Sequence, residues 1–303
     1  MERPIGRLST LIASASAIGF LLAGCSAGVN DPVVGVPVSA PPATTPVAGT
    51  LESGIDQAVQ AELAAANSIQ SDGAPPGVLV EINALTGVNA LIRAEAFSSL
   101  LVTGANEISK REGYVNALIA DVQRDQYLPG ITLSGRALSA TLLSMLEGVN
   151  AQLQALAVTI QSDSLPDVLR SDVLSIGPST RVAGLIEPMT HLAIAGGDEL
   201  RELNYLASQY QQLQTSVAGV PSTDPNRSQE VARLSDLAAS IASARQIVDS
   251  GIGAVLSLTA SGFPSNKTTI TSVRNAFIQM RSPLGKLGEA KADANAILAL
   301  LAN

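Results

Sequence analysis

The chain is 303 residues long with a net charge of −8, 46% hydrophobic residues, 3% aromatic residues and no Trp. That length fits one large or two ordinary domains. The acidic balance argues against a nucleic-acid partner, which needs a basic footprint, and few rings remain as platforms for sugars or bases.

The first residues carry Arg3 and Arg7 against Glu2, and no charge follows from Leu8 to Gly24. The apolar run from Leu11 to Leu22 is too short for a membrane span of about 20 residues, but it fits a signal-peptide core. It ends in Leu22-Ala23-Gly24-Cys25, the pattern of a bacterial lipobox. Small residues at 23 and 24 admit a peptidase, and the Cys25 thiol takes a thioether-linked diacylglyceryl group. Two acyl chains give stable anchoring where one would be marginal. Cys25 is the only cysteine, so no intrachain disulfide is possible. Residues 1–24 are therefore expected to be a cleaved signal peptide. The 303 residues less these 24 leave 279, and removing a net +1 from −8 leaves −9.

Residues 25–50 read as the lipidated Cys followed by a disordered tether containing Pro32, Pro37, Pro41, Pro42 and Pro46. Proline favours extended chain, so the tether reaches at most roughly 80 Å.

Residues 51–303 read as one helical domain. Glu52 to Gln70 is an Ala-rich amphipathic helix, broken by Asp72-Gly-Ala-Pro-Pro-Gly77. A long helical segment runs from Val78 to about Arg124, with Leu101, Ile108, Val115, Leu118 and Val122 on one stripe, until Tyr127-Leu-Pro-Gly130 breaks it. Leu138, Leu142, Leu146, Val149, Leu153, Leu156 and Ile160 follow at spacings of three and four. Ser164-Leu-Pro-Asp167 resembles a capping box, and a short helix ends at Gly177-Pro178. The next helix starts near Thr180, with Pro188 and Gly196-Gly197 as weak points before a heptad run from Leu203 to Val220. Pro221 to Asn226 is a loop before the stripe Leu234 to Leu258. After Gly262-Phe-Pro-Ser-Asn266, one last helix carries Ile270 to Leu301, interrupted on its seam by Lys291 and bent at Pro283. No strand pattern competes, and no stretch of the mature chain qualifies as a membrane span. These seams predict an all-α fold: an elongated antiparallel bundle with coiled-coil-like packing.

From about Glu107 onward the chain resembles uncharacterised, exported, Ala-rich helical lipoproteins and cell-wall-associated proteins of high-GC Gram-positive and related bacteria. The residues carrying the likeness are Arg111 before Val115 and Leu118, Ser162-Asp163, and Leu169-Arg170-Ser-Asp172. Thr180-Arg181-Val182, Pro188 and Gly262-Phe-Pro-Ser-Asn-Lys267 complete it. The resemblance implies an envelope location and a helical fold, and it carries over no functional residues.

His191 is the only histidine, with Glu187 one turn before it and Asp198-Glu199 after the Gly-Gly pair. A Glu/His pair at i, i+4 can share a metal, but a single histidine with scattered carboxylates makes a poor transition-metal site. The expected pocket, if one exists, comprises Glu187, Pro188, His191, Gly196 and Gly197. Asp224 to Glu230 alternates oxygens as a calcium loop does, yet lacks the central glycine and the final glutamate, so Asp224 reads better as a helix cap. Asn226-Arg-Ser and Asn266-Lys-Thr match glycosylation sequons by chance composition. There is no GxSxG or P-loop pattern, so no catalytic residue, metal or cofactor is expected. The reading is a non-enzymatic lipoprotein held on the extracytoplasmic face of the cell membrane or outer membrane through Cys25. Its role is structural or rests on an envelope protein partner, for which a stripe on the Glu52–Gln70 helix is a candidate surface. The alternative is a binding protein holding a small or apolar ligand between helices, distinguished by an apolar cavity near His191.

Overall fold

A computed structural model describes residues 48–67, 76–85 and 90–302. The signal peptide, the lipobox at Leu22, Ala23, Gly24 and Cys25, and most of the tether lie outside the described residues. Residues 48–50, assigned to the tether, belong to the first helix.

Among the described residues there are nine α-helices: α1 (Ala48–Ala65), α2 (Pro76–Leu85), α3 (Ala90–Arg124), α4 (Leu138–Ser162), α5 (Pro166–Thr180), α6 (Glu187–Gly219), α7 (Arg227–Leu256), α8 (Asn266–Arg281) and α9 (Lys286–Leu301). The bundle is all-α, as the 3–4 spacing requires. α3 and α4 run antiparallel, as do α6 and α7. Asn150 donates to Asn116 across α3 and α4, and Ile160 of α4 lies at Gly104 of α3. Arg245 donates to Asn204 across α6 and α7, while Ile252 lies at Gly196.

The apolar stripes are the core. Leu138, Leu142, Leu146, Val149, Leu153 and Ile160 of α4 are buried, as are Ile108, Val115, Leu118 and Val122 of α3. On α6 the heptad positions Leu203, Leu206, Leu213 and Val217 are buried. Ile55, Val59 and Leu63 of α1, with Ala66 just beyond it, are also buried, and α1 packs on α6. The stripe considered as a partner surface is therefore already covered from within the chain.

Several boundaries depart from expectation. The segment from Val78 to Arg124 is two helices, α2 and α3. A two-residue antiparallel pair, β1 (Thr132–Leu133) with β2 (Arg136–Ala137), precedes α4. Its Ser134-Gly135 turn has positive φ at both central residues, 51° and 79°, as a tight twisted hairpin demands. Leu165 takes the N-cap position of α5, with no side-chain cap. That helix continues past Gly177-Pro178 and ends at Arg181, which is left-handed at φ 46°. A π-turn at Val182–Ile186 then leads into α6. Pro188 accounts for it: proline offers no N–H to the carbonyl four residues back, and its ring crowds that carbonyl, so the ladder widens just before it. The last segment is α8 and α9, separated at 282–285. There a Cβ on Gly285 would meet the backbone carbonyls of Gln279 and Met280, and Leu284 is 90% exposed rather than on the seam.

Two parts of the quoted resemblance, 82 residues apart from Arg181 to Phe263, meet in space. The Arg181 guanidinium stands 4.3 Å from the Phe263 ring centroid, and Lys267 Nζ stands 4.9 Å from the same ring. These are favourable cation–ring contacts that join the π-turn to the loop before α8.

Candidate functional site

The densest part of the molecule is the first half of α6. From Met189 to Leu203 only His191 and Arg201 are not fully buried. Gly196-Gly197 does not break this helix. A Cβ on Gly196 would lie 2.5 Å from Ile252 Cγ1, and one on Gly197 would collide with Leu128. Across the groove, a Cβ on Gly251 of α7 would lie 2.6 Å from Phe277 of α8. The glycines remove side chains where helices approach closely and where Leu128 seats against α6. Packing, rather than an opening, explains the Gly-Gly pair within the expected pocket of Glu187, Pro188, His191, Gly196 and Gly197.

His191 does not pair with a ligand set on its own helix. Its Nδ1 lies 2.6 Å from Glu62 Oε2 of α1, and the two residues are 129 positions apart. Burial disfavours the imidazolium, but the Glu62 hydrogen bond and charge, with Glu187 and Asp121 beyond, leave the His191 pKa raised. Among the described residues no three His, Cys, Asp or Glu side chains are placed to hold a metal. Asp224 Oδ1 accepts the Asn226 N–H at 2.7 Å, the local turn that opens α7.

Two turns beyond His191 comes a belt of buried charge. Asp198 and Glu199 are 0% exposed and Glu202 is 1% exposed. Among the described residues neither Asp198 carboxyl oxygen has a hydrogen-bond partner. Burial, then Asp125 and Glu62, push its pKa up to about 9, against the pull of Arg201. Burial and the adjacent Glu202 drive Glu199 well above the carboxylate range, and burial raises Glu202 as well despite Lys291.

The cations come from distant helices. Arg281 Nη1, near the end of α8, is 2.8 Å from Glu199 Oε2 and donates to Glu202 Oε2 at 3.1 Å. Its other terminal nitrogen pairs with Asp56 of α1. Lys291 Nζ of α9 lies 2.5 Å from Glu202 Oε1, 3.2 Å from Glu52 Oε1 and 3.3 Å from Asp56 Oδ1. The residue that interrupts the last apolar seam therefore ties α9 to both α1 and α6. Arg274 Nε donates to the Leu63 carbonyl at 2.9 Å, near the C-terminal end of α1. On the far side, Arg201 Nε donates to the Tyr127 carbonyl, and a second guanidinium nitrogen donates to the Pro129 carbonyl, pinning the loop after α3.

Sequence reasoning placed His191, Asp198 and Glu199 together but missed Glu52, Asp56, Glu62, Glu202 and Arg281 as their surroundings. The available signal was polarity on apolar stripes: Glu199 and Glu202 among Leu192 to Leu206, and Lys291 on the α9 seam. The assembly is suited to clamping a helix. A cavity of about 550 Å³ lies elsewhere, beside the π-turn between Gln152, Thr180, Ile186, Leu258 and Ser261. Comparison with family models, curated proteins and solved structures finds no match for this chain.

Proposed function

We propose that the protein is a lipid-anchored envelope protein whose helical bundle serves a non-enzymatic, structural or protein-interaction role. The anchor rests on Leu22-Ala23-Gly24-Cys25 after an uncharged apolar run, with Cys25 the sole cysteine. The observation that favours a scaffold over a ligand carrier is the packing at Gly196 and Gly197, where Ile252 and Leu128 occupy the space a pocket would need. No described helix is long and apolar enough to cross a membrane, so in this reading attachment falls to the acyl chains. The first described helix, α1, is fastened to α6, α8 and α9 by charge as well as by apolar contact, so a pull on the anchor is carried into the bundle.

The test is radiolabelled-fatty-acid incorporation in the producing cell, followed by crosslinking and mass spectrometry of what co-purifies. Label on the wild type, none on Cys25→Ser, and one reproducible envelope partner are expected. Unlabelled protein would overturn the anchor, and a labelled protein with no partner would overturn the interaction role. The cavity beside the π-turn gives the small-ligand alternative one support, because its hydroxyl and amide groups flank an apolar floor of Val149, Leu185 and Leu258. A bound molecule seen by native mass spectrometry, and lost on Leu258→Trp, would favour that alternative.

A further inference from the structure

The groove that α1 closes holds more acid than base. From α1 come Glu52, Asp56 and Glu62. Beneath it, α6 contributes Asp198, Glu199 and Glu202, with Glu187 beside His191. Asp121 of α3 and Asp125 of the following loop face the same groups. Against them stand Arg201 on α6, Arg274 and Arg281 on α8, Lys291 on α9, and His191. Among the described residues every cation near the groove is already engaged: Arg281 by three carboxylates, Lys291 by three, Arg274 and Arg201 by backbone carbonyls. Among them Asp198 is left with no hydrogen-bond partner at 0% exposure. A buried charge without a partner is far costlier than a neutral carboxyl, so closure of α1 needs protons on the acids it covers.

We infer that α1 is a proton-linked strap: it docks on the α6–α8–α9 groove with uptake of protons by the buried carboxyls beneath it, and it lifts as the pH rises. Lifting α1 gives Glu199 and Glu202 access to water and leaves them balanced by Arg281 and Lys291. The closed state adds Glu52 and Asp56 to the same two cations. The raised pKa of Asp198, Glu199, Glu202 and His191 all act in one direction. Each of these groups binds its proton more tightly in the folded bundle than as a free side chain, and an α1 carboxylate is among the causes for three of them: Glu62 for Asp198 and His191, Glu52 for Glu202. Closure of α1 is therefore expected to be strongest at low pH. It weakens through the window between the ordinary carboxylate range and about 9, the value for Asp198. The strap works whether or not Cys25 carries lipid, so the two readings fail separately.

The experiment is hydrogen–deuterium exchange on the full chain at about pH 5.5, 7 and 8.5, corrected for intrinsic exchange, reading α1 against α7 as an internal reference. Protection of α1 is expected to fall about tenfold per pH unit for each linked proton, with α7 unchanged. Glu199→Gln, and separately Asp198→Asn, keeps the shape and removes the titration, so each is expected to flatten the slope and restore α1 protection at the alkaline end. Protection of α1 that is flat with pH, or that falls only together with α7, would overturn the inference, as would an unchanged slope in the folded Gln or Asn variant.

Discussion

Between Met189 and Leu203, α6 holds Asp198, Glu199 and Glu202 at 1% exposure or less, while the α2–α3 pair leaves Leu79, Val80, Ile92 and Val102 between 49% and 70% exposed. Charge is inside in one region and apolar surface outside in the other. The difference lies in neighbours. Around its first half α6 is packed by α1, α7, α8 and α9, whereas α2 packs against α3. A carboxylate on a crowded helix has no route to water and must find a cation or a proton. Leu79 and Val80 lie on α2, which among the described residues packs chiefly on α3, and nothing covers their side of the helix. Burial thus follows position in the bundle as well as residue type, and the ion belt exists because distant helices supply Arg281 and Lys291.

The comparison breaks most readily at Arg281. Replacing it with Ala leaves Glu199, Glu202 and Asp56 without their shared cation, and the expected loss of stability is about 3–5 kcal/mol in urea unfolding. Next comes Gly251→Val, which drives a side chain into Phe277 and is expected to cost about 1–3 kcal/mol by overpacking; the exposed Gly253→Val, two residues on, meets nothing and is the control. Global stability is expected to decline from about pH 5 toward pH 9 by about 1.4 kcal/mol per pH unit for each proton held only by the folded state. The sign follows from Asp198: a folded pKa raised to about 9 means stability is fully present below its ordinary value of 3.8 and is lost as the pH rises through the higher one. The smallest effect belongs to the exposed region. Leu79→Ser with Val80→Ser is expected to change stability by no more than about 0.5 kcal/mol, because neither side chain is buried. A large loss there would show that α2 is covered in solution.

Much of the fold was legible because repeating apolar spacing is a local property. Leu138 to Ile160 and Leu203 to Val217 are buried where a 3–4 repeat places them. Pro188 was read as a weak point of a helix starting near Thr180; it lies in the first turn of α6, directly after the π-turn. Gly196-Gly197 was misread because the same residue type serves flexibility and close approach, and only Ile252 and Leu128 decide which applies. The break at 282–285 was missed because the apolar spacing runs on through it, while Gly285 must remain bare against two carbonyls.

By itself the sequence determined the helical class, the stripes that form the core, and the features that read as an export and lipidation signal, since each depends on residues near one another along the chain. Only the tertiary structure decided that His191 meets Glu62, that Lys291 joins α9 to α1 and α6, and that Asp198 has no hydrogen-bond partner among the described residues. Those contacts span up to 239 positions, from Glu52 to Lys291. Long-range pairing leaves no period in the sequence, because it depends on which helices pack together and on how little water is left between them.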